Sequence, residues 1–366
     1  MEGNEALARG AIAAGCNFFA GYPITPATTI FNNMLQMLPG RGGICLQGED
    51  EIASMGFCIG ASIAGKKALT ATSGPGISLY SEHISFAIGS ETPLVIVDVQ
   101  RLGPSTGSAT RGADSDVQFL RWGSSGGMPV IVLAPTDVMD CYVLAVHAFN
   151  YAEEFRCPVF IASNKEIGLT KQSIDLEKVD LPPVIERKRF TGKTYLPFAA
   201  KAGSSPPFLP VGGKALVRIT SSTHGPDGYI TTDPTVIAQN NARLREKIDN
   251  AGEKITLFDA DVKENSEILI ISYGITSCAV EDAMKMLAQS GLNVSRLTLK
   301  TLWPVPEQLL KETSRKFRRI IVLEMNMGQY IGEIRRVLGD KKVEFYGQMD
   351  GALISPRRIM EVIGNG

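Results

Sequence analysis

Residues 93–99 read Pro93-Leu94-Val95-Ile96-Val97-Asp98-Val99, a continuous apolar run with one carboxylate inside it. A strand that is apolar at nearly every position has both faces covered, as in a parallel sheet with helices on either side. The flanking sequence alternates accordingly. Upstream, the pattern predicts a helix over Glu5 to Ala14, a short strand over Cys16 to Ala20, and a helix over Ala27 to Leu38. That last helix has Ile30, Phe31, Met34, Leu35 and Leu38 at three- and four-residue spacing, and Pro39-Gly40 ends it. A strand over Ile44 to Gln47, a glycine- and alanine-rich helix over Ile52 to Ala64, a strand over Ala68 to Thr72 and a helix over Ile77 to Ala87 lead into the central run. Beyond it come a strand over Met128 to Ala134, a helix over Val138 to Phe155 and a strand over Pro158 to Ala162. A mainly parallel α/β domain over residues 1–170 is expected.

Residues 171–254 break the alternation. Pro182-Pro183, Pro206-Pro207, Pro210 and Gly212-Gly213 mark an irregular connection, with one helix expected over Ala238 to Ala251. The segment should wrap an existing surface rather than build its own core. From residue 255 to 366 the alternation resumes: strands over Ile268 to Gly274, Val294 to Leu299 and Ile320 to Glu324, with helices over Thr276 to Gln289 and Pro306 to Lys316. A second, smaller α/β domain follows.

Composition narrows the function. A formal charge of -1 over 366 residues lacks the basic surface that nucleic acid requires. The amino terminus has no basic region before an apolar core, and Glu2 and Glu5 argue against a signal peptide. No apolar run approaches the ~20 residues that span a bilayer, so a soluble cytoplasmic chain without membrane contact is expected. The six cysteines are dispersed with no CxxC, which supports neither a disulfide framework nor a local zinc or iron-sulfur motif.

Four loops could carry chemistry. Gly21-Tyr22-Pro23-Ile24-Thr25-Pro26 links a strand to a helix, and Pro26 suits a first helical position with Thr25 as its cap. Alternatively, the Thr25 hydroxyl faces a ligand at the mouth of the sheet. Thr72-Ser73-Gly74-Pro75-Gly76 is either a structural turn or a set of backbone donors for an anion. Glu49, Asp50 and Glu51 open an apolar helix, where carboxylates can cap the amide ends or face a ligand. Arg101 to Arg111 follows the central strand with two arginines and several hydroxyls. Those arginines suit either ion pairs with the acidic loop or an anionic substrate.

Together, GYPITPATTI, LQGEDEIASMGFCIGAS, TATSGPG and VQRLGPSTGSATR closely resemble the alpha subunit of the thiamine-diphosphate-dependent 2-oxoacid:ferredoxin oxidoreductases. The resemblance extends to LWPVPEQLL and VLEMNMGQ in the last third. It implies an α/β chain in which a thiamine-enzyme pyrimidine-binding-type parallel-sheet domain precedes a smaller transketolase C-terminal-like domain. The implied reaction is CoA-dependent oxidative decarboxylation of a 2-oxoacid with reduction of ferredoxin, or its reverse.

The same resemblance implies residue roles. Glu49 matches the carboxylate that bonds the cofactor aminopyrimidine and helps redistribute its proton. Tyr22, Pro23, Ile24, Ser73 and Gly74 stand at cofactor-binding positions. Thr25 matches the threonine beside the substrate carbonyl and carboxylate, and Arg101 the group that binds the carboxylate or stabilises developing charge. Arg111 stands where 2-oxoglutarate-using relatives often carry a basic residue, although Ser108-Ala109 replaces the Leu-Pro of their GPSTGLPT stretch. Substrates implied are 2-oxoglutarate first, then 2-oxoisovalerate or pyruvate; a non-catalytic scaffold is the alternative of a different class. With no GDG motif here, thiamine diphosphate is expected to be shared with a beta subunit that holds Mg2+. Iron-sulfur clusters are likewise expected in partner chains, with gamma and ferredoxin-like delta subunits and an external ferredoxin as further partners. An alpha-beta heterodimer paired into a larger assembly is implied.

Overall fold

A computed structural model describes residues 1–364; Asn365 and Gly366, at the end of the third expected region, lie outside them. The strands in chain order are β1 (Phe18–Gly21), β2 (Ile44–Gln47), β3 (Ala68–Thr72), β4 (Leu94–Gln100), β5 (Ile131–Leu133), β6 (Pro158–Asn164), β7 (Phe258–Asp261), β8 (Ile268–Tyr273), β9 (Ser295–Leu299), β10 (Thr301–Trp303), β11 (Arg319–Glu324) and β12 (Val343–Gly347). The first sheet has the order β10-β5-β6-β4-β3-β1-β2 and the second β12-β11-β8-β9-β7. Every neighbouring pair is parallel except β10 with β5 and β7 with β9.

The apolar run behaves as its composition demands. All seven residues of β4 are buried, and they alternate between two cores: Leu94 and Ile96 on one face, Val95, Val97 and Val99 on the other. The second of these cores is closed by α1 (Gly3–Ala13), α2 (Thr28–Met37) and the helix Val138–Phe155; the first is covered by α3 (Glu51–Ile63), α4 (Gly74–Leu79) and α5 (Ser81–Gly89). That first core runs on without a break into Leu269, Ile271, Leu297, Leu302, Trp303 and Tyr330 of the last third. The single helix expected over Ile77 to Ala87 is two. Tyr80 sits at the junction, fully buried, with its hydroxyl 2.9 Å from Thr70 Oγ1.

The connecting segment is a strap held by buried ions. Arg187 forks onto Glu153 at 2.6 and 2.7 Å and donates to the carbonyls of Ser62 and Lys66. Glu91, fully buried, accepts from Arg243 and Lys247 of the helix Pro234–Asp249, which begins four residues before the sequence pattern placed it. Asp233 caps this helix through Thr235 N, with Pro234 at its first position. All six cysteines are free. Among the described residues no helix is long and apolar enough to cross a membrane.

Candidate active site

Strands β2, β1, β3 and β4 are adjacent and parallel, so the loops after them open on one edge of the sheet. Ligands of such sheets bind outside the carboxyl ends of the strands. All four loops singled out in the sequence meet there.

Thr25 does not cap a helix. Helix α2 starts at Thr28 behind Ala27, with no side-chain cap, and Thr25-Pro26-Ala27 forms a turn with a cis peptide before Pro26. Asn4 of α1 fixes that turn instead, donating to Pro26 O at 2.9 Å and to Thr29 Oγ1 at 2.7 Å. Thr25 is thereby left exposed beside Tyr22, itself exposed, and the half-buried Pro23 and Ile24.

The three acidic residues take three different positions. Asp50 is the cap of α3, accepting from Ala53 N at 2.7 Å. Glu49, before the cap, is exposed. Glu51, the first helical residue, turns inward and is only 7% exposed. Its carboxylate leans over Gly76: a Cβ there would collide with Thr72 Oγ1 and lie 2.9 Å from Glu51 Oε1. No hydrogen bond to the Glu51 side chain exists among the described residues, while Thr72 Oγ1 and Ser73 Oγ are buried without partners. Gly74 starts α4 immediately after Ser73.

Neither arginine pairs with this acidic loop. Arg101 is 5% exposed and its Nη1 donates to Thr25 O at 2.5 Å, joining the loops of β4 and β1 across β3. Arg111 is exposed and makes no ion pair among the described residues; its stem packs against Gly351. Three carboxyl groups that the sequence reading passed over surround Arg101's loop. Burial, reinforced by the neighbouring Asp116, pushes Asp98 well above the usual carboxylate range. Asp116 is raised to about 6 by burial against the pull of Arg101. Asp114 is raised to about 7 by burial despite the 2.8 Å hydrogen bond from Asn164. A lone carboxylate in an all-apolar strand was the available signal for Asp98.

The last third braces this loop. Asp114 N donates to Met325 O at 3.0 Å, Asn326 Nδ2 donates to Asp114 O at 3.1 Å and to Tyr273 Oη at 2.8 Å, and Gln118 N donates to Gln329 Oε1 at 2.9 Å. Glu324 anchors the turn by accepting from Tyr330 N and Ile331 N. Beside the site lies an exposed apolar surface: Tyr22, Ile44, Leu46, Ile52, Phe57 and Leu79 are each 39–47% exposed, around the unpaired outer edge of β2. Surfaces of this kind mark binding interfaces.

Residues 9–242 match the family described as "Pyruvate flavodoxin/ferredoxin oxidoreductase, thiamine diP-bdg", and residues 266–359 match "Pyruvate:ferredoxin oxidoreductase core domain II". The chain belongs to this family. It is of the alpha-subunit type in the thiamine-diphosphate-dependent 2-oxoacid:ferredoxin oxidoreductases, a heteromeric, CoA-using family. The 2-oxoglutarate synthase subunit KorA of Methanothermobacter marburgensis is 40% identical, over 99% of this chain and 97% of that protein. The ketoisovalerate oxidoreductase subunit VorB of Methanothermobacter thermautotrophicus is 32% identical over 99% and 96%. The solved 2-oxoglutarate:ferredoxin oxidoreductase from Magnetococcus marinus, with 2-oxoglutarate, coenzyme A and succinyl-CoA bound, matches 100% of this chain with a TM-score of 0.91 at 33% identity. This chain spans 64% of that one. The expected α/β architecture, pyrimidine-binding-like first and transketolase-like second, is the one found.

Proposed function

We propose that this chain is the alpha subunit of a 2-oxoglutarate:ferredoxin oxidoreductase, forming an acyl-CoA and CO2 from the 2-oxoacid and reducing ferredoxin, or running in reverse. The observation that supports this substrate is the pair of arginines on one loop. Arg101 is buried over Thr25, and Arg111, ten positions on, keeps an exposed guanidinium with no ion-pair partner among the described residues. A dicarboxylate offers an anionic group to each, and guanidinium groups are suited to both. A branched-chain 2-oxoacid or pyruvate needs only the first.

The residues present fit the aminopyrimidine end of thiamine diphosphate. A buried carboxylate with free acceptor capacity, two orphaned hydroxyls and a glycine floor are what a flat heterocycle carrying donors and acceptors requires. Bound there, the cofactor supplies a thiazolium that acts as an electron sink for decarboxylation. Within this reading Glu51, rather than Glu49, holds and moves the proton at the aminopyrimidine, because Glu51 is buried beside Thr72 and Gly76 whereas Glu49 faces outward. Thr72 and Ser73 offer hydroxyls to the ring, Gly74 and the Tyr22-Pro23-Ile24 turn shape its edge, and Thr25 and Arg101 meet the 2-oxoacid. Mg2+, the diphosphate and iron-sulfur clusters would be held by partner chains. The apolar face around β2 would receive the beta subunit and close the site; gamma, delta and external ferredoxin partners belong to the same proposal.

Three measurements test this. Turnover of the purified assembly with CoA and an artificial acceptor is expected to show the highest kcat/KM for 2-oxoglutarate. A far higher value for 2-oxoisovalerate or pyruvate overturns the substrate assignment. Arg111→Ala is expected to raise KM for 2-oxoglutarate ~10-fold or more while leaving pyruvate nearly unaffected, as for a lost charge-assisted contact. Gly76→Ala should lower turnover ~10²-fold, because its methyl group must displace Thr72 or Glu51 and small misplacements at the reacting groups are costly. Unchanged turnover in that variant would remove Glu51 from the proposed role.

A further inference from the structure

Inside the fold, behind the arginine that faces the substrate, lie two acids that no donor satisfies. Asp98 sits in the middle of β4, fully buried, opposite Thr72 on one side and Ala162 on the other. Both of its carboxyl oxygens lack a hydrogen-bond partner. Asp116 Oδ2 is also buried without one, although the Asp116 backbone is anchored by its N–H to Gln100 Oε1 at 2.9 Å. The two carboxyl groups are within hydrogen-bonding reach of each other. Two carboxylates have only acceptors between them and repel; a single proton turns one into a donor to the other.

Arg101 completes the cluster. Among the described residues it has no ion pair within salt-bridge distance, its Nη1 is committed to Thr25 O, and its Nε is buried without a partner. Its charge acts on both acids, lowering each. A pair carrying one negative charge balances one guanidinium. A doubly charged pair would force its members apart, and a neutral pair would leave a buried cation uncompensated. We propose that Asp98 and Asp116 share one proton and, as a singly charged pair, hold the Arg101 guanidinium over Thr25, which makes both acids positioning residues for the 2-oxoacid. This rests on the proposal that Arg101 meets the substrate.

Burial dominates the upward displacement of both acids, which favours keeping one proton on the pair. Coupled acids of this kind titrate as a pair. Arg101 is the cation acting on both members; Asp114, raised itself by burial and by Glu324, acts from two positions before Asp116.

The test uses the assembled complex and four variants, Asp98→Asn, Asp116→Asn, the double variant and Arg101→Ala. An amide replaces the protonated partner without changing the charge of the pair, so each single variant should keep its KM for the 2-oxoacid within ~3-fold of the parent. The double variant should raise it ~10-fold or more, a tenfold change in affinity being a modest loss for a carboxylate contact. Infrared spectra of the parent minus each single variant should show, at neutral pH, the loss of one protonated-carboxyl C=O band common to both differences, the contribution of Asp114 being present on both sides and cancelling. KM of the parent should rise as alkali removes the shared proton, and that limb should be absent from the single variants. Absence of that band from either difference spectrum, or single variants as impaired as the double, overturns the shared proton. If the band behaves as expected but Arg101→Ala leaves KM unchanged, the substrate role of Arg101 falls and the positioning role falls with it.

Discussion

Glu51→Gln in the assembled complex is expected to lower substrate-dependent acceptor reduction by ~10²–10³-fold, whereas Glu49→Gln should change it by less than ~3-fold. The first figure is the usual worth of a positioned acid-base group. Gln keeps the shape and one acceptor of the side chain but cannot take up or release a proton. The contrast follows from one helical cap. With Asp50 holding Ala53 N, Glu51 becomes the first residue of α3 and points toward Gly76, while Glu49 remains outside the helix in solvent. Steady-state turnover at saturating 2-oxoacid and CoA, with thiamine diphosphate binding measured alongside, separates lost chemistry from lost cofactor. A larger loss from Glu49→Gln than from Glu51→Gln reverses the assignment.

Glu91→Gln is expected to cost ~3–5 kcal/mol of folding stability, the usual penalty for breaking a buried ion pair by removing one partner. Arg243 and Lys247 both bond this carboxylate, and all three side chains are buried. Burial alone would raise the Glu91 carboxyl, yet Lys247 and Arg243 hold it down at about 2. A carboxyl group depressed in the folded state adds stability that is present above its unfolded value of ~4.3 and is lost as pH falls through the folded one. The parent chain should therefore weaken between about 4 and about 2, and the variant should lack this contribution to its acid sensitivity. Denaturant unfolding followed from pH 7 downward measures both; a loss below ~1 kcal/mol at pH 7 would mean that the strap is held by its apolar contacts instead.

Much of this architecture was legible because the signals were local. Ile44 to Gln47, Ala68 to Thr72, Val138 to Phe155 and Thr276 to Gln289 fall where their periodicity placed them. Asp137, which caps the third of these by accepting from Asp140 N, shows why a helix start can be read closely. What escaped was non-local. Thr25 looked like a cap because Thr-Pro before an amphipathic run resembles a helix start, and only Asn4, twenty-one positions away, reveals the turn. The four loops of the site were each visible, but which of Glu49 and Glu51 is buried depends on the phase of α3, a matter of two residues at an element boundary. Asp114 gains significance only when Met325 and Asn326 are brought against it, and Asp116 only when its backbone is anchored on Gln100.

Strand β10 has a consequence for how the molecule comes apart. Three residues from the last third, Thr301–Trp303, pair antiparallel with β5 and close the edge of the first sheet, and Lys300 O accepts from Ala134 N beside them. Separating the chain at the end of the strap would bare Ile131–Leu133 as an open edge, the kind of surface that recruits other chains into aggregates. The two sheets are thus expected to melt as a single cooperative unit. Amides of β5 should exchange with deuterium no earlier than those of β8 and β11, and a fragment ending near residue 254 should be insoluble where the full chain is not.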